Sequence, residues 1–163
     1  MKFYIHHLYM LLATVAVIVC MCSSSLITFV YNDMSSVSMT NFALHSVSMS
    51  SPETTSVATS CALGILLIVS ALISAFTMFI SLFQNFSLQK RSSIFNCCVL
   101  AGYYLVELIF VLILRGEDTR IVDFNWQICL PLVALIFTAM SFYSIRMTEA
   151  KMLARANNFR LRD

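Results

Sequence analysis

Charge is what this chain has least of. Only 11% of its 163 residues are Asp, Glu, Lys or Arg, against about 25% in ordinary soluble domains. A composition that is 60% hydrophobic leaves a soluble domain of this length too little polar surface to face water. The polar stretches are also short. Once the long apolar runs are set aside, the longest remaining segment is 31–57, below the usual minimum of about 50 residues for an independent domain. Cysteine is missing from the segments where an oxidising compartment would pair it. All six (Cys20, Cys22, Cys61, Cys97, Cys98 and Cys129) lie in or at the ends of apolar runs, so no disulfide framework is expected. Cys20-x-Cys22 and Cys97-Cys98 do not supply the paired C-x-x-C spacing of a zinc site. A thiol oxidoreductase needs accessible cysteine pairs, and the polar segments offer none. No A-x-A cleavage site ends the first apolar run, and Val19 before Cys20 is a poor lipoprotein box, so that run is expected to stay.

What the chain does have is four apolar runs, at 8–30, 58–83, 94–114 and 127–145. Each is close to the ~20 residues with which an α-helix crosses about 30 Å of hydrocarbon. The expected fold is all-α: one domain, residues 1–163, forming a four-helix transmembrane bundle. Positive charge is segregated along it. Lys2, Lys90, Arg91, Arg146, Lys151, Arg155, Arg160 and Arg162 fall on one side of the four runs. Only Arg115 and Arg120 fall on the other, with Asp33, Glu53, Glu117, Asp118 and Asp123. The positive-inside rule then puts both termini and the 84–93 loop in the cytoplasm.

The first outer segment alternates through Ser36-Val37-Ser38-Met39 and again through Ser46-Val47-Ser48-Met49-Ser50, which predicts a short β-hairpin there with Asn41 near a turn. Met34, Met39, Met49 and His45 also admit a soft-metal reading, but one buried strand face explains the same alternation. No metal or cofactor is expected. Pro52-Glu53 reads as a start signal for the second helix, and Pro131 belongs in the first turn of the fourth. Ser70/Ser74 and Ala71/Ala75 have small-xxx-small spacing for close helix approach. Trp126, Phe124 and the His6-His7 pair read as interfacial anchors. After 145 the chain predicts a cationic amphipathic helix, with Arg146, Lys151 and Arg155 as candidate membrane-surface contacts. Charge alone does not make this a nucleic-acid binder.

Glu107 is the one ionisable residue inside an apolar run. Burying its charge costs roughly 2.5 kcal/mol or more, which makes it the candidate intramembrane functional group. Tyr103 at i−4 and Tyr104 at i−3 lie beside it on a helix, so a structural carboxyl, protonated and bonded to one of those rings or reaching toward Arg115, is the competing expectation.

Four stretches resemble a bacterial family of small four-span membrane proteins known only as a domain of unknown function. They are Leu8-Tyr9-Met10-Leu11-Leu12-Ala13; Asn85 with Leu88-Gln89-Lys90-Arg91; Leu130-Pro131-Leu132-Val133-Ala134-Leu135; and Ile145-Arg146 with Glu149, Leu153, Arg155 and Arg160-Leu161-Arg162. The chain departs from the family pattern at Phe86, at Thr148 and around Asn157-Asn158. The resemblance implies the four-span topology in a bacterial inner membrane and implies no activity. The expected role is a non-enzymatic accessory or scaffold subunit. Its partners are the lipid bilayer and another membrane protein or a second copy, and not nucleic acid. The alternative is a small oligomeric transporter or channel using Glu107.

Overall fold

The computed structural model describes residues 5–23, 25–31, 35–48, 51–58, 61–83, 85–115 and 119–160. Lys2, Asp33, Met34, Met49, Glu117, Asp118 and Arg162 lie outside them. The chain is mostly helical, and four α-helices carry the architecture: α1 (Ile5–Met21), α2 (Ala62–Leu82), α3 (Phe86–Leu114) and α4 (Leu130–Arg160). Neighbours in sequence pack against each other, and α4 closes back onto α1. The result is an up-down-up-down square in which α2 and α3 are joined by a short turn and the other two connections carry the strands. Segments Ala62–Ile80, Phe86–Leu114 and Trp126–Ala154 are long and apolar enough to cross a membrane; α1, at 17 residues, is shorter.

The first apolar run is not one helix. α1 stops at Met21 and a strand, β1, takes over at Ile27–Tyr31. Ser23 and Ser25 break the apolar periodicity, and Ile27-Thr28-Phe29-Val30-Tyr31 is β-branched and aromatic. Ile27 and Phe29 are buried while Thr28 and Val30 are half-buried, the period-two signature of a strand lying on a core. Each buried side chain of this size stabilises the fold by about 1.5–3 kcal/mol.

The expected hairpin is part of a larger sheet. β2 (Ser36–Met39), β3 (Leu44–Ser48), β4 (Ser51–Ala58) and β5 (Thr119–Phe124) join β1 in the order β4-β3-β2-β1-β5, every pair antiparallel. β4 occupies the stretch where Pro52-Glu53 suggests a helix start. Thr54, Thr55 and Val57 favour extended backbone, and β4 is an edge strand, where a proline's missing donor is tolerated. β5 forms where the second outer segment reads only as a loop, and it pairs Ile27 with Phe124 and Phe29 with Val122. Asn125 ties the two chain halves further: its N–H donates to Leu26 O, and its amide donates to Ser25 Oγ (2.8 Å).

The sheet sits across one end of the helices. Phe29, Met39 and Leu44 from the strands meet Val17, Leu67, Leu100 and Tyr103 from the helices in one core. At the far end the turn between α2 and α3 is much shorter than the 84–93 loop of the sequence reading, because α3 already begins at Phe86. The Asn85 side chain caps it by accepting from the Leu88 N–H, satisfying one of the donors a helix start leaves over. α4 likewise runs on as one helix through Arg160, with Pro131 in its first turn where no helical donor is lost. Lys90 on α3 reaches Glu149 on α4 at 2.7 Å, so the basic residues of both helices gather at the end opposite the sheet.

Candidate functional site

One face of α3 is buried along its whole length: Gln89, Ser93, Asn96, Leu100, Tyr103 and Glu107. The steps are four, three, four, three and four residues, the spacing that stacks side chains on one helical stripe. Only Leu100 is apolar. From Gln89 to Glu107 the stripe spans about 27 Å at 1.5 Å per residue. The neighbouring helices present polar groups to its lower half: Ser70, Ser74 and Thr77 from α2, Thr138 and Ser141 from α4, and His6 from α1, all buried.

Most of these groups satisfy one another. Ser70 Oγ donates to Asn96 Oδ1 at 2.8 Å, and Asn96 Nδ2 donates to Ser74 Oγ at 2.9 Å. The Ser70/Ser74 pair read from the sequence is therefore a docking notch for one asparagine, whereas Ala75 is exposed. Thr77 and Ser92 hydroxyls share a 2.6 Å bond, Ser93 donates to Thr138 O, and Ser141 donates to His6 O. Such bonds join helices where apolar packing alone does not discriminate. His6, expected as a boundary anchor, is buried against α4, its ring 4.4 Å from that of His7.

Above Leu100 a second polar group sits beneath the sheet. Asn41, in the turn between β2 and β3, is fully buried. Its Nδ2 donates to Cys20 O at 2.7 Å, its Oδ1 accepts from Tyr103 at 3.1 Å, and its backbone carbonyl accepts from Gly64 N–H at 2.8 Å. One residue thus joins the sheet to α1, α2 and α3. The sequence marks it only as a turn former; its burial depends on contacts 21 to 62 residues away.

Glu107 lies one turn beyond Tyr103, 3% exposed. Neither neighbouring tyrosine serves it. Tyr103 donates to Asn41, and Tyr104 donates to Ile128 O at 2.8 Å on the segment leading into α4. Glu107 Oε1 has no hydrogen-bond partner, and the one ion pair among the described residues is Lys90–Glu149 rather than any contact to Arg115. Two other buried amides are unmatched: Gln127 at Oε1, and Gln89, at the opposite end of the α3 stripe, at both amide atoms. A buried polar atom without a partner costs about 1–3 kcal/mol, so both ends of the stripe hold unspent hydrogen-bonding capacity.

The remaining candidates are at the far end. Arg146 is exposed, with its guanidinium 5.8 Å above the Phe142 ring. Lys151 is exposed, and the Arg155 side chain lies outside the described residues. Trp126 and Phe124 are exposed beside the sheet. All six cysteines are free thiols, Cys20 alone being buried. Met39 is in the core, and among the described residues no three His, Cys, Asp or Glu side chains converge on one point.

Among known proteins, the model of a family described as a domain of unknown function (DUF4293) matches residues 5–157. That is nearly the whole chain, and the protein belongs to this family, as the short motifs of the sequence suggest. No curated protein matches it.

Proposed function

We propose that this family member is a four-span protein of a bacterial inner membrane, with both termini and the α2–α3 turn in the cytoplasm, serving as a non-enzymatic accessory or scaffold subunit. The membrane part rests on an inverted surface. Polar side chains point into the bundle, while Leu11, Ile65, Phe79, Leu108, Leu112 and Ile136 point out of it, as lipid requires and water does not. α1, about 25 Å long at 1.5 Å per residue, suffices to cross with local thinning, and Trp126 and Phe124 sit at the level of an interfacial belt.

The single observation that carries the accessory role is the extension of α4. The helix continues past the Lys90–Glu149 bridge to Arg160, with Lys151, Met152, Leu153 and Ala154 all exposed. A helix held at its base, mixing apolar and basic side chains at its free end, is a docking element for another membrane protein, a second copy or the inner leaflet. Reporter fusions after Arg162 and within 40–55 should read opposite sides of the membrane. A pull-down in mild detergent should yield a stoichiometric protein that Met152→Asp with Leu153→Asp releases. Loss of no partner in that double variant refutes the scaffold role.

A second reading, a small oligomeric transporter or channel, is favoured by one specific observation: the α3 stripe is polar almost throughout and unsatisfied at Gln89 and Glu107. Intramembrane carboxylates of this kind carry proton or ion coupling. Glu107→Gln keeps the shape and removes the titratable proton. A stably inserted Glu107→Gln protein that fails to complement a deletion strain selects this second reading; full complementation selects the first.

A further inference from the structure

An open groove of about 730 Å³ runs between α2 and α3 at the end away from the sheet. Its walls are Leu72, Ile73 and Phe76 from α2 and Leu88, Arg91, Ser92 and Phe95 from α3. The volume falls in the range of about 300–1,000 Å³ typical of sites for small organic ligands. Leu72, Phe76 and Phe95 are each more than half exposed, so the groove is open along its side to whatever surrounds the helices. It is not a lateral entrance to the polar core. Ser92, its one hydroxyl, turns inward to bond Thr77.

Two features give the groove a chemical polarity. The neighbouring basic residue, Lys90, is engaged by Glu149, whereas Arg91 is exposed and makes no ion pair among the described residues. Arg91 also lies between Leu88 and Phe95 on the α3 wall, one turn from each along the same helical face. An aliphatic and aromatic trough with one unengaged guanidinium on its α3 wall matches a molecule with a hydrocarbon chain and an anionic phosphate. Guanidinium binds phosphate through paired hydrogen bonds.

We infer that this groove holds one anionic phospholipid, an acyl chain lying against Leu72, Phe76 and Phe95 and its phosphate on Arg91. The inference rests on the membrane placement proposed above, which puts this end of α3 at the cytoplasmic leaflet, where anionic lipids attract basic side chains. The ligand is the lipid and not a free phosphate, because the larger part of the site is apolar.

The test is native mass spectrometry of the full chain, released from detergent after titration with phosphatidylglycerol or with phosphatidylcholine of identical acyl chains. Fractionation of the cells comes first: protein absent from the membrane fraction sinks the membrane placement itself. With the protein in membranes, the expected result is about fivefold tighter retention of phosphatidylglycerol, the worth of one basic contact at a leaflet surface. Arg91→Gln should bring the two lipids to parity, and Arg115→Gln, at the opposite end of α3, should preserve the preference. Phe95→Ala should weaken retention of both lipids alike. Soluble glycerol phosphate should not compete. Equal retention of the two lipids by the wild type, an Arg91→Gln protein that keeps the preference, competition by glycerol phosphate, or a polypeptide occupying this face in place of lipid would each overturn the inference.

Discussion

Truncating Asn41 to alanine should loosen the whole junction between sheet and helices. The change removes two buried side-chain hydrogen bonds, to Cys20 O and from Tyr103, at about 1 kcal/mol each. It also strands the hydroxyl of Tyr103, a fully buried residue, adding about 1–2 kcal/mol of unsatisfied polarity. Cys20 O keeps a second donor in Ser23 N–H, and the Gly64 bond to the Asn41 backbone survives, so neither enlarges the loss. The expected cost is about 3–4 kcal/mol. Tyr103→Phe removes only the shared bond and leaves Asn41 Oδ1 wanting, at about 1–2 kcal/mol. Because the double variant loses the shared bond only once and strands neither partner, the two changes should be non-additive by about 2–4 kcal/mol. Equilibrium unfolding of the detergent-solubilised protein by circular dichroism gives all four corners of the cycle. Alkylation of Cys20, the one buried thiol, offers a local readout and should accelerate in Asn41→Ala. Additivity within about 0.5 kcal/mol, or an Asn41→Ala protein as stable as the parent, refutes the assignment.

Glycine substitutions should separate sharply. A Cβ at Gly64 meets the Phe42 ring, with Cδ1 at 2.5 Å, and Asn41 O at 3.0 Å, whereas one at Gly102 meets nothing within 4 Å. Gly64→Val should therefore destabilise by about 1–3 kcal/mol, and Gly102→Ala should stabilise by about 0.5–1 kcal/mol through helix propensity; equal thermal shifts would contradict both. Asn96→Ala, which removes the two bonds to Ser70 and Ser74 while the Thr77–Ser92 bond between α2 and α3 remains, should cost about 1–2 kcal/mol in the same unfolding assay. Lys90→Ala and Glu149→Ala should each change stability by less than about 1 kcal/mol, because the pair is partly solvated, and a larger loss would show the bridge to be structural. Alkylation under denaturing conditions should label all six cysteines without reductant; two thiols that appear only after reduction would disprove the unpaired state.

Local patterns were legible and long-range partners were not. Alternation at Ser36–Met39 sufficed for β2, because a strand's period is carried by its own residues. β5 depends on β1, far back in the chain, and Thr119–Phe124 by itself is too short and too mixed in charge to announce a strand. Ser23 and Ser25 interrupt the first apolar run, but only the pairing of Ile27–Tyr31 on both edges turns that interruption into the end of a helix. Around Glu107 the helix geometry correctly placed Tyr103 and Tyr104 alongside. Their hydroxyls lie at the tips of long side chains that reach other elements, so sequence neighbourhood did not predict bonding. The α3 stripe did have a sequence signal in the spacing of residues 89, 93, 96, 100, 103 and 107. Starting the apolar run at residue 94 cut away Gln89 and Ser93, and average hydropathy hides a polar face on an otherwise apolar helix.

The place of β1 between β2 and β5 sets a timetable for synthesis. β1 can pair with β2 as soon as the nearby chain emerges, but its other edge waits for β5, about ninety residues later, or roughly 5–20 s at ribosomal rates. Through that interval an apolar strand carries an open edge, ready to recruit a wrong strand from another nascent copy. The last hairpin of the chain, α3–β5–α4, then acts as a latch. Chains truncated before residue 119 should aggregate through that uncapped edge, and a chain that extends through Phe124 is the first form in which it is sealed.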